Sequence, residues 1–101
     1  MERVIGEIKE KIEEYGDDSY ERIIAVLEDI SDYVAEGYYD RGFVREWHKF
    51  LIELGMCIPA HQVLYSDVHD TFMYKGEKYM CIESFSSLSE EKLSWILLQL
   101  S

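Results

Sequence analysis

The amino-acid sequence predicts an α+β fold, a mainly helical single domain in which three helices precede a small antiparallel β-hairpin and a C-terminal helix. Apolar residues recur at three- and four-residue steps in four stretches of the chain, and this is the helical period. The segment TFMYKGEKYMCI carries strand-favouring residues on both sides of a glycine turn, which is typical of a hairpin. A chain of 101 residues, 48% of them hydrophobic, suits one domain over residues 1–101 with its own core.

The first two helices are predicted from apolar stripes over residues 2–15 and residues 20–36. Gly16 ends the first helix, because glycine readily takes the left-handed conformation found at helix ends. The Asp-Asp-Ser segment at residues 17–19 supplies side-chain oxygens that cap the second helix. The short connection between the two predicts an antiparallel helical hairpin.

The second helix has an apolar face and an acidic face. No lysine or arginine after Arg22 relieves the charge of its acidic side. We call these acids the acidic ridge, which consists of Glu21, Glu28, Asp32 and Glu36, with Asp29 close by. Residues 1–40 hold 13 acids and 4 bases, a net charge of −9, whereas residues 41–101 hold 8 acids and 6 bases, a net charge of −2.

A third helix is predicted over residues 41–54, with Gly55 as its stop. It carries four basic side chains, which we call the basic patch: Arg41, Arg45, His48 and Lys49. We expect this patch to pair with acids of the second helix inside the fold, because opposite charges in one small domain attract each other.

Residues 56–70 carry weaker signals. Pro59 cannot continue a helix, so residues 56–61 are predicted to be irregular. Residues 62–66 are a candidate for a third strand, and the polar residues 66–70 are typical of a turn. The sheet is therefore predicted to have two or three strands.

The hairpin over residues 71–82 is predicted with Gly76 and Glu77 as a two-residue turn, glycine first as a type II′ turn requires. The cross-strand pairs that follow from this turn are Lys75 with Lys78, Tyr74 with Tyr79, Met73 with Met80 and Phe72 with Cys81.

The last helix begins after Ser89, which can cap it, and Glu90 and Glu91 suit the positive end of its dipole. Apolar residues cover most of its circumference, because Trp95 and Leu98 add a second side to the leucine stripe. Either this helix is wedged deeply between other elements of the fold, or part of it meets another chain; a homodimer through Trp95 and Leu98 is one form of the second alternative.

The net charge of −11 limits the partners of the protein. So acidic a domain is repelled by nucleic acid and by anionic lipid and is attracted to basic protein surfaces. The sequence has no apolar run of about 18 residues and no secretion signal at its N-terminus, so we expect a cytoplasmic protein without membrane contact. Two cysteines are too few for a disulfide scaffold, and Cys57 and Cys81 are predicted to be buried free thiols.

Signatures of catalysis and metal binding are weak. The sequence has no glycine-rich phosphate loop and no cysteine-protease pattern, so we expect no enzymatic activity, no cofactor and no bound metal. One alternative is a small metal-binding protein with Cys57 and His61 as ligands. His69 and Cys81 are further donors of suitable type, although the spacing is not that of a zinc finger.

A second alternative is a winged-helix-like transcriptional regulator, because three helices followed by a hairpin is the order of that motif. Helix 41–54 would read the duplex and hairpin 71–82 would form the wing, with Lys75 and Lys78 at its tip. The net charge argues against this alternative, since a DNA reader presents a basic footprint.

The acidic ridge is the strongest functional feature of the sequence. Glu28, Asp32 and Glu36 step by four residues, so their carboxylates recur about every 6 Å along the helix, as phosphates do along nucleic acid. We predict a non-enzymatic inhibitor that mimics nucleic acid and docks on a basic nuclease or nucleic-acid-binding effector. This profile is similar to that of phage inhibitors of restriction and CRISPR enzymes and of immunity proteins. Tyr38 and Tyr39 would be aromatic anchors beside the ridge.

Overall fold

The computed structural model describes residues 1–63 and 71–101, and within them it contains four α-helices and one three-stranded antiparallel sheet. The helices and strands follow in the order α1 (Glu2–Tyr15), α2 (Tyr20–Ala35), α3 (Arg41–Glu53), β1 (Cys57–Pro59), β2 (Thr71–Tyr74), β3 (Glu77–Cys81) and α4 (Glu90–Leu100). Short 3₁₀ helices span Ala60–Gln62 and Phe85–Ser87. The predicted α+β class, with three helices before a hairpin and a helix at the C-terminus, is confirmed.

Three of the helices begin at capping residues, of which Ser19 and Ser89 were predicted from the sequence and Asp40 was not. Side-chain oxygens of Ser19, Asp40 and Ser89 each accept a hydrogen bond from the backbone N–H three residues later, at 3.2, 2.8 and 3.2 Å. Gly16 closes α1 in the left-handed conformation, with a φ of 68°. These local bonds satisfy N–H groups that the first turn of a helix leaves without partners.

The core is formed by one apolar face from each helix. Trp47, 2% exposed, is its largest side chain, and its ring centroid lies 5.5 Å from that of Phe50. The helical residues buried with them are Val4, Ile8 and Ile12 of α1, Ile23, Val26, Leu27 and Ile30 of α2, Phe43 and Leu51 of α3, and Leu93 and Ile96 of α4. Within each helix, the buried residues recur at three- and four-residue steps, which is why the positions of the helices could be predicted from the sequence.

The third strand of the sheet is not where the sequence predicted it. The strand order is β1-β3-β2, and β1 (Cys57–Pro59) occupies the stretch that was predicted to be irregular. Pro59 is compatible with this strand because β1 lies at an edge of the sheet, where a missing N–H is tolerated. Of the candidate strand at residues 62–66, Gln62 ends a 3₁₀ helix, and residues 64–66 and the predicted turn at residues 66–70 lie outside the described residues.

The register of the hairpin differs from the prediction by two residues. Lys75 and Gly76 form the turn, with φ values of 50° and 79°, and Tyr74 faces Glu77. Two positive φ values define a type I′ turn, whose twist matches that of the strands, so it replaces the predicted type II′ turn. Phe72 consequently faces Tyr79 instead of Cys81. A shift of two residues leaves every side chain on its predicted face of the sheet.

Cys57 and Cys81 are joined in a disulfide, so the prediction of free thiols is wrong. The cause is the pairing of β1 with β3, which places the two cysteines directly opposite each other. Cys57 is 2% exposed, whereas Cys81 is half-buried. The sequence could not indicate this bond, because it gave no sign that residues 57–59 form a strand beside residues 77–81.

Candidate functional site

The acidic ridge lies on the side of α2 that faces away from the core. Successive helical residues are separated by 100°, which places Glu28 and Asp32 nearly opposite the buried Ile23 and Ile30. Four ridge carboxylates are exposed, those of Glu21, Glu28, Asp32 and Glu36, and Asp29 is half-buried. Within residues 1–63 and 71–101, none of the five ridge acids takes part in an ion pair. Four of the five acids of the predicted ridge are therefore exposed along one side of α2.

A groove of about 360 Å³ opens beside the ridge, and we call it the acidic groove. Glu28, Ser31 and Asp32 of α2 form one wall, and Glu83 and Ser84, which follow β3, line it from the sheet side. Its other lining residues are apolar or sulfur-containing: Leu51, Met56, Cys81 and Phe85. Carboxylates combined with an apolar lining suit a lysine or arginine side chain, whose stem is apolar and whose head is cationic.

Glu83 is the functional candidate that the sequence did not reveal. Its Oε2 lies 3.6 Å from Nζ of Lys92 on α4, which holds it near the groove. Glu83 and Glu28 are 55 residues apart in the sequence, and they line one groove because the 3₁₀ helix that follows β3, Phe85–Ser87, packs against α2. Helical periodicity cannot detect such a relationship, since it reports on single elements.

The two predicted aromatic anchors have different environments. Tyr38 is 74% exposed beyond the end of α2, where its ring centroid lies 5.1 Å from that of Tyr33. Tyr39 is half-buried and stacks on Phe43 at 3.9 Å. Burial and the nearby Glu7 carboxylate raise the pKa of Tyr39 to about 12. Tyr38 is therefore available for contact with a partner, whereas Tyr39 mainly packs against α3.

The basic patch does not pair with α2, so that prediction is wrong. In the part of the chain that the structure describes, Arg41, Arg45 and Lys49 take part in no ion pair. The reason is the packing of α3, which lies mainly on α1 and β2, whereas the ridge points away from the core. The ring of His48 stacks on Phe72 of β2, with centroids 3.9 Å apart and planes inclined by 9°.

A second groove, of about 390 Å³, lies between α3 and the hairpin turn. We call it the basic groove, and it is lined by Tyr39, Arg41, Val44, Arg45, His48, Met73, Tyr74 and Lys75. It shares no lining residue with the acidic groove. The protein therefore separates positive and negative charge into two concave surfaces, although its net charge is −11.

The candidate metal ligands do not converge within the described residues. The disulfide engages both Cys57 and Cys81, so neither offers a thiolate. His61 is exposed, and its Nδ1 lies 3.5 Å from Oε1 of Glu77. No group of three or more His, Cys, Asp or Glu side chains in residues 1–63 and 71–101 is placed to hold a metal ion, and His69 lies outside these ranges.

The C-terminal helix exposes less apolar surface than its sequence suggests. Trp95 is half-buried, and its ring centroid lies 6.3 Å from that of Phe50. Leu98 is 70% exposed. A single exposed leucine is common on monomeric proteins, so the homodimer through Trp95 and Leu98 stays a prediction.

Comparison of the chain with protein-family models, with curated proteins and with solved structures finds no match. Among the described helices, none has the length and apolar character required to cross a membrane.

Proposed function

We propose that this protein is a non-enzymatic inhibitor that docks its acidic ridge on the basic surface of a nucleic-acid-handling enzyme, such as a restriction or CRISPR nuclease. The observation that carries the proposal is the position of the ridge. Glu28, Asp32 and Glu36 are exposed, lie opposite the buried face of α2 and have no ion-pair partner among residues 1–63 and 71–101. In the part of the chain that the structure describes, these charges are not used for internal pairing, so they can act on another molecule.

The spacing of the ridge supports competition with nucleic acid. Side chains four residues apart rise by about 6 Å along a helix, so the ridge offers a row of negative charges at regular intervals. Neighbouring charges closer than the Debye length of about 8 Å at physiological salt act together on a basic partner. Electrostatic complementarity of this kind speeds association and selects for basic surfaces.

The acidic groove supplies the site for an anchoring side chain. An arginine or lysine of the partner would place its stem against Met56 and Phe85 and its charged head near Glu28 and Asp32. Tyr38 would add an exposed aromatic contact beyond the end of the ridge, the type of residue that often carries binding energy in interfaces. The ridge would steer the partner, and the groove would fix its register.

We propose the cytoplasm as the site of action, because nucleases that act on intracellular DNA work there. The Cys57–Cys81 disulfide argues against a reducing compartment, since cytosolic disulfides are rare. The proposal therefore requires that inhibition be unchanged when the disulfide is reduced. This requirement is testable by adding dithiothreitol to the inhibition assay below.

The proposal is tested by measuring cleavage of a labelled DNA duplex by a panel of purified restriction endonucleases and CRISPR nucleases. We expect near-stoichiometric inhibition of at least one enzyme when the protein is added before the DNA, and weaker inhibition when the DNA is added first. Inhibition should decline as salt rises, because exposed charges are screened. Full cleavage by every enzyme at large excess of the protein would contradict the proposal, as would inhibition that is equally strong in either order of addition.

A further inference from the structure

The basic groove between α3 and the hairpin turn has no role in the proposed inhibition. We propose that it binds a phosphate-bearing ligand of nucleotide size. Its phosphate would contact Arg41, Arg45 and Lys75, and its ring system would lie against the tyrosines that line the groove. This inference is independent of the proposed function, which rests on α2.

Three cations converge on the groove from two elements. Arg41 and Arg45 are one turn apart on α3, about 6 Å along the axis, and Lys75 lies in the hairpin turn opposite them. Guanidinium groups bind phosphate through paired N–H bonds, and a lysine adds a point charge. Among the described residues that line the groove, none is a carboxylate.

Two acids that adjoin the groove residues in the sequence have partners outside the groove. Asp40 precedes Arg41 in sequence, but both of its carboxylate oxygens accept hydrogen bonds from Arg3, at 2.8 and 2.7 Å. Glu77 follows the hairpin turn, and its Oε1 lies 3.5 Å from Nδ1 of His61. Neither of these partners, Arg3 or His61, lines the groove. Within residues 1–63 and 71–101, Arg41, Arg45 and Lys75 take part in no ion pair, so they can bind an anion from solution.

Aromatic side chains give the groove fixed walls. His48 is held by its stack on Phe72 at 3.9 Å, and Tyr74 packs edge-to-face on Tyr79 at 6.3 Å. Tyr39 is stacked on Phe43. Aromatic faces stack with nucleobases irrespective of the base. Because these rings are already held by packing, little conformational entropy is lost when a ligand binds.

The size and charge of the protein favour a small ligand over a duplex. The groove volume of about 390 Å³ is within the range of small-molecule sites. A nucleotide bound there keeps its charge within a Debye length, about 8 Å, of the three cations. A duplex extends further and meets the rest of a surface with net charge −11, whereas duplex binding requires many phosphate contacts.

The proposal is tested by isothermal titration calorimetry of the full chain with ATP, inorganic pyrophosphate, adenosine and a short DNA duplex, without added metal. We expect ATP to bind more tightly than pyrophosphate, because ATP adds stacking to the phosphate contacts, and we expect adenosine not to bind. No binding of either phosphate compound would overturn the proposal. Tighter binding of the duplex than of ATP would overturn it too, in favour of a nucleic-acid surface.

Variants locate the binding to this groove. Arg45→Gln and Lys75→Gln alter exposed side chains, so the fold is retained, and each is expected to weaken ATP binding about tenfold or more. Lys9→Gln removes the same charge from an exposed position on α1 and is the matched control, with unchanged affinity expected. Equal weakening by Lys9→Gln would overturn the proposal, because it would assign binding to net charge.

The contribution of the groove tyrosines is tested with a separate variant. Tyr74→Leu is expected to reduce the preference for ATP over pyrophosphate while leaving pyrophosphate binding unchanged. This readout separates stacking from loss of fold, because an unfolded variant would lose both affinities. Retention of the full preference for ATP in Tyr74→Leu would contradict the placement of the ring system in this groove.

Discussion

Arg3 near the start of α1 and Asp40 at the N-cap of α3 form a two-pronged ion pair. Nη1 and Nη2 of Arg3 lie 2.8 and 2.7 Å from Oδ1 and Oδ2 of Asp40. Oδ1 also accepts a hydrogen bond of 2.8 Å from the backbone N–H of Phe43. The Arg3 guanidinium, followed by that N–H, holds the pKa of Asp40 well below its usual range. One carboxylate thus caps α3 and joins it to α1.

The double role of Asp40 predicts a ranked loss of stability. Asp40→Asn removes the charge but keeps a good cap, whereas Asp40→Ala removes both. We expect the thermal unfolding midpoint to fall in the order wild type, Asp40→Asn, Asp40→Ala, with Arg3→Ala close to Asp40→Asn. Circular dichroism melting curves measure this order. Equal midpoints for Asp40→Asn and Asp40→Ala would refute the capping role.

Acidification tests the same ion pair. The folded-state pKa of Asp40 is lowered from 3.8, so its contribution is complete above pH 3.8 and is lost as the pH falls through the lower folded value. Asp40→Asn is expected to remove this part of the acid transition. An unchanged acid-unfolding profile in the variant would contradict the assignment.

Tyr39 is predicted to lose its hydroxyl proton at a higher pH than an ordinary tyrosine. Its pKa is raised from 10.0 to about 12, first by burial and then by the charge of Glu7. At a pH between 10.0 and about 12, the tyrosinate absorbance of the Tyr39→Phe variant should therefore equal that of wild type. Only near pH 12 should the variant absorb less than wild type. Because the pKa is raised on folding, the associated stability is complete below pH 10.0 and is lost as the pH rises through about 12.

Glu7→Gln is the companion variant for Tyr39. It removes the carboxylate charge and should lower the pKa of Tyr39. Both measurements are made at pH values where far-ultraviolet circular dichroism still shows the folded state. A Tyr39→Phe variant that loses tyrosinate absorbance close to pH 10 would contradict the burial of this ring against Phe43.

The disulfide is predicted to stabilise the fold without being required for it. Cys57 and Cys81 are 24 residues apart, and closing a loop of that size contributes about 3 kcal/mol to the free energy of unfolding. The double variant Cys57→Ala/Cys81→Ala should unfold at lower urea concentration and be insensitive to dithiothreitol. Wild-type protein should lose a similar amount of stability on reduction. Two titratable thiols in unreduced, denatured wild-type protein would exclude the bond.

His48 is predicted to make stability depend on pH near neutrality. Burial against Phe72 lowers its pKa from the ordinary value of 6.5. The unfolded chain therefore takes up a proton first, so stability is complete above pH 6.5 and is lost as the pH falls through the lower folded pKa. His48→Phe keeps an aromatic stack and should flatten this dependence. An NMR titration that places the pKa of His48 above 6.5 would contradict the prediction.

The helices and the ridge could be predicted from sequence because their determinants are local. Gly16 and Ser19 set helix ends within one turn, and three- and four-residue periodicity separates the core face of α2 from Glu28 and Asp32. One local prediction failed, since the hairpin turn lies at Lys75 and Gly76, and the other predictions that failed concern distant pairs. The partnership of Cys57 with Cys81 depends on which strands adjoin, and no local pattern encodes that choice.

The two grooves could not be predicted from the sequence, for the same reason. Glu83 joins Glu28 because of the path that the chain takes after β3. Arg45 and Lys75 meet because α3 packs beside the hairpin, and the sequence-based expectation paired Arg45 with α2 instead. Residue type and periodicity identified these side chains as charged and exposed. Only the tertiary structure shows which of these side chains line the same groove.

The most direct test of the central claim compares two charge-reversed proteins in the nuclease assay, using the enzyme that wild type inhibits. One carries Glu28→Lys, Asp32→Lys and Glu36→Lys on the ridge, and the matched control reverses three exposed acids of α1: Glu10, Glu13 and Glu14. At about 1 kcal/mol for each reversed charge, we predict that the inhibition constant of the ridge variant rises about 100-fold and that the control stays near wild type. Wild-type inhibition by the ridge variant, or equal weakening in both proteins, would contradict the claim that the acidic ridge is the binding surface.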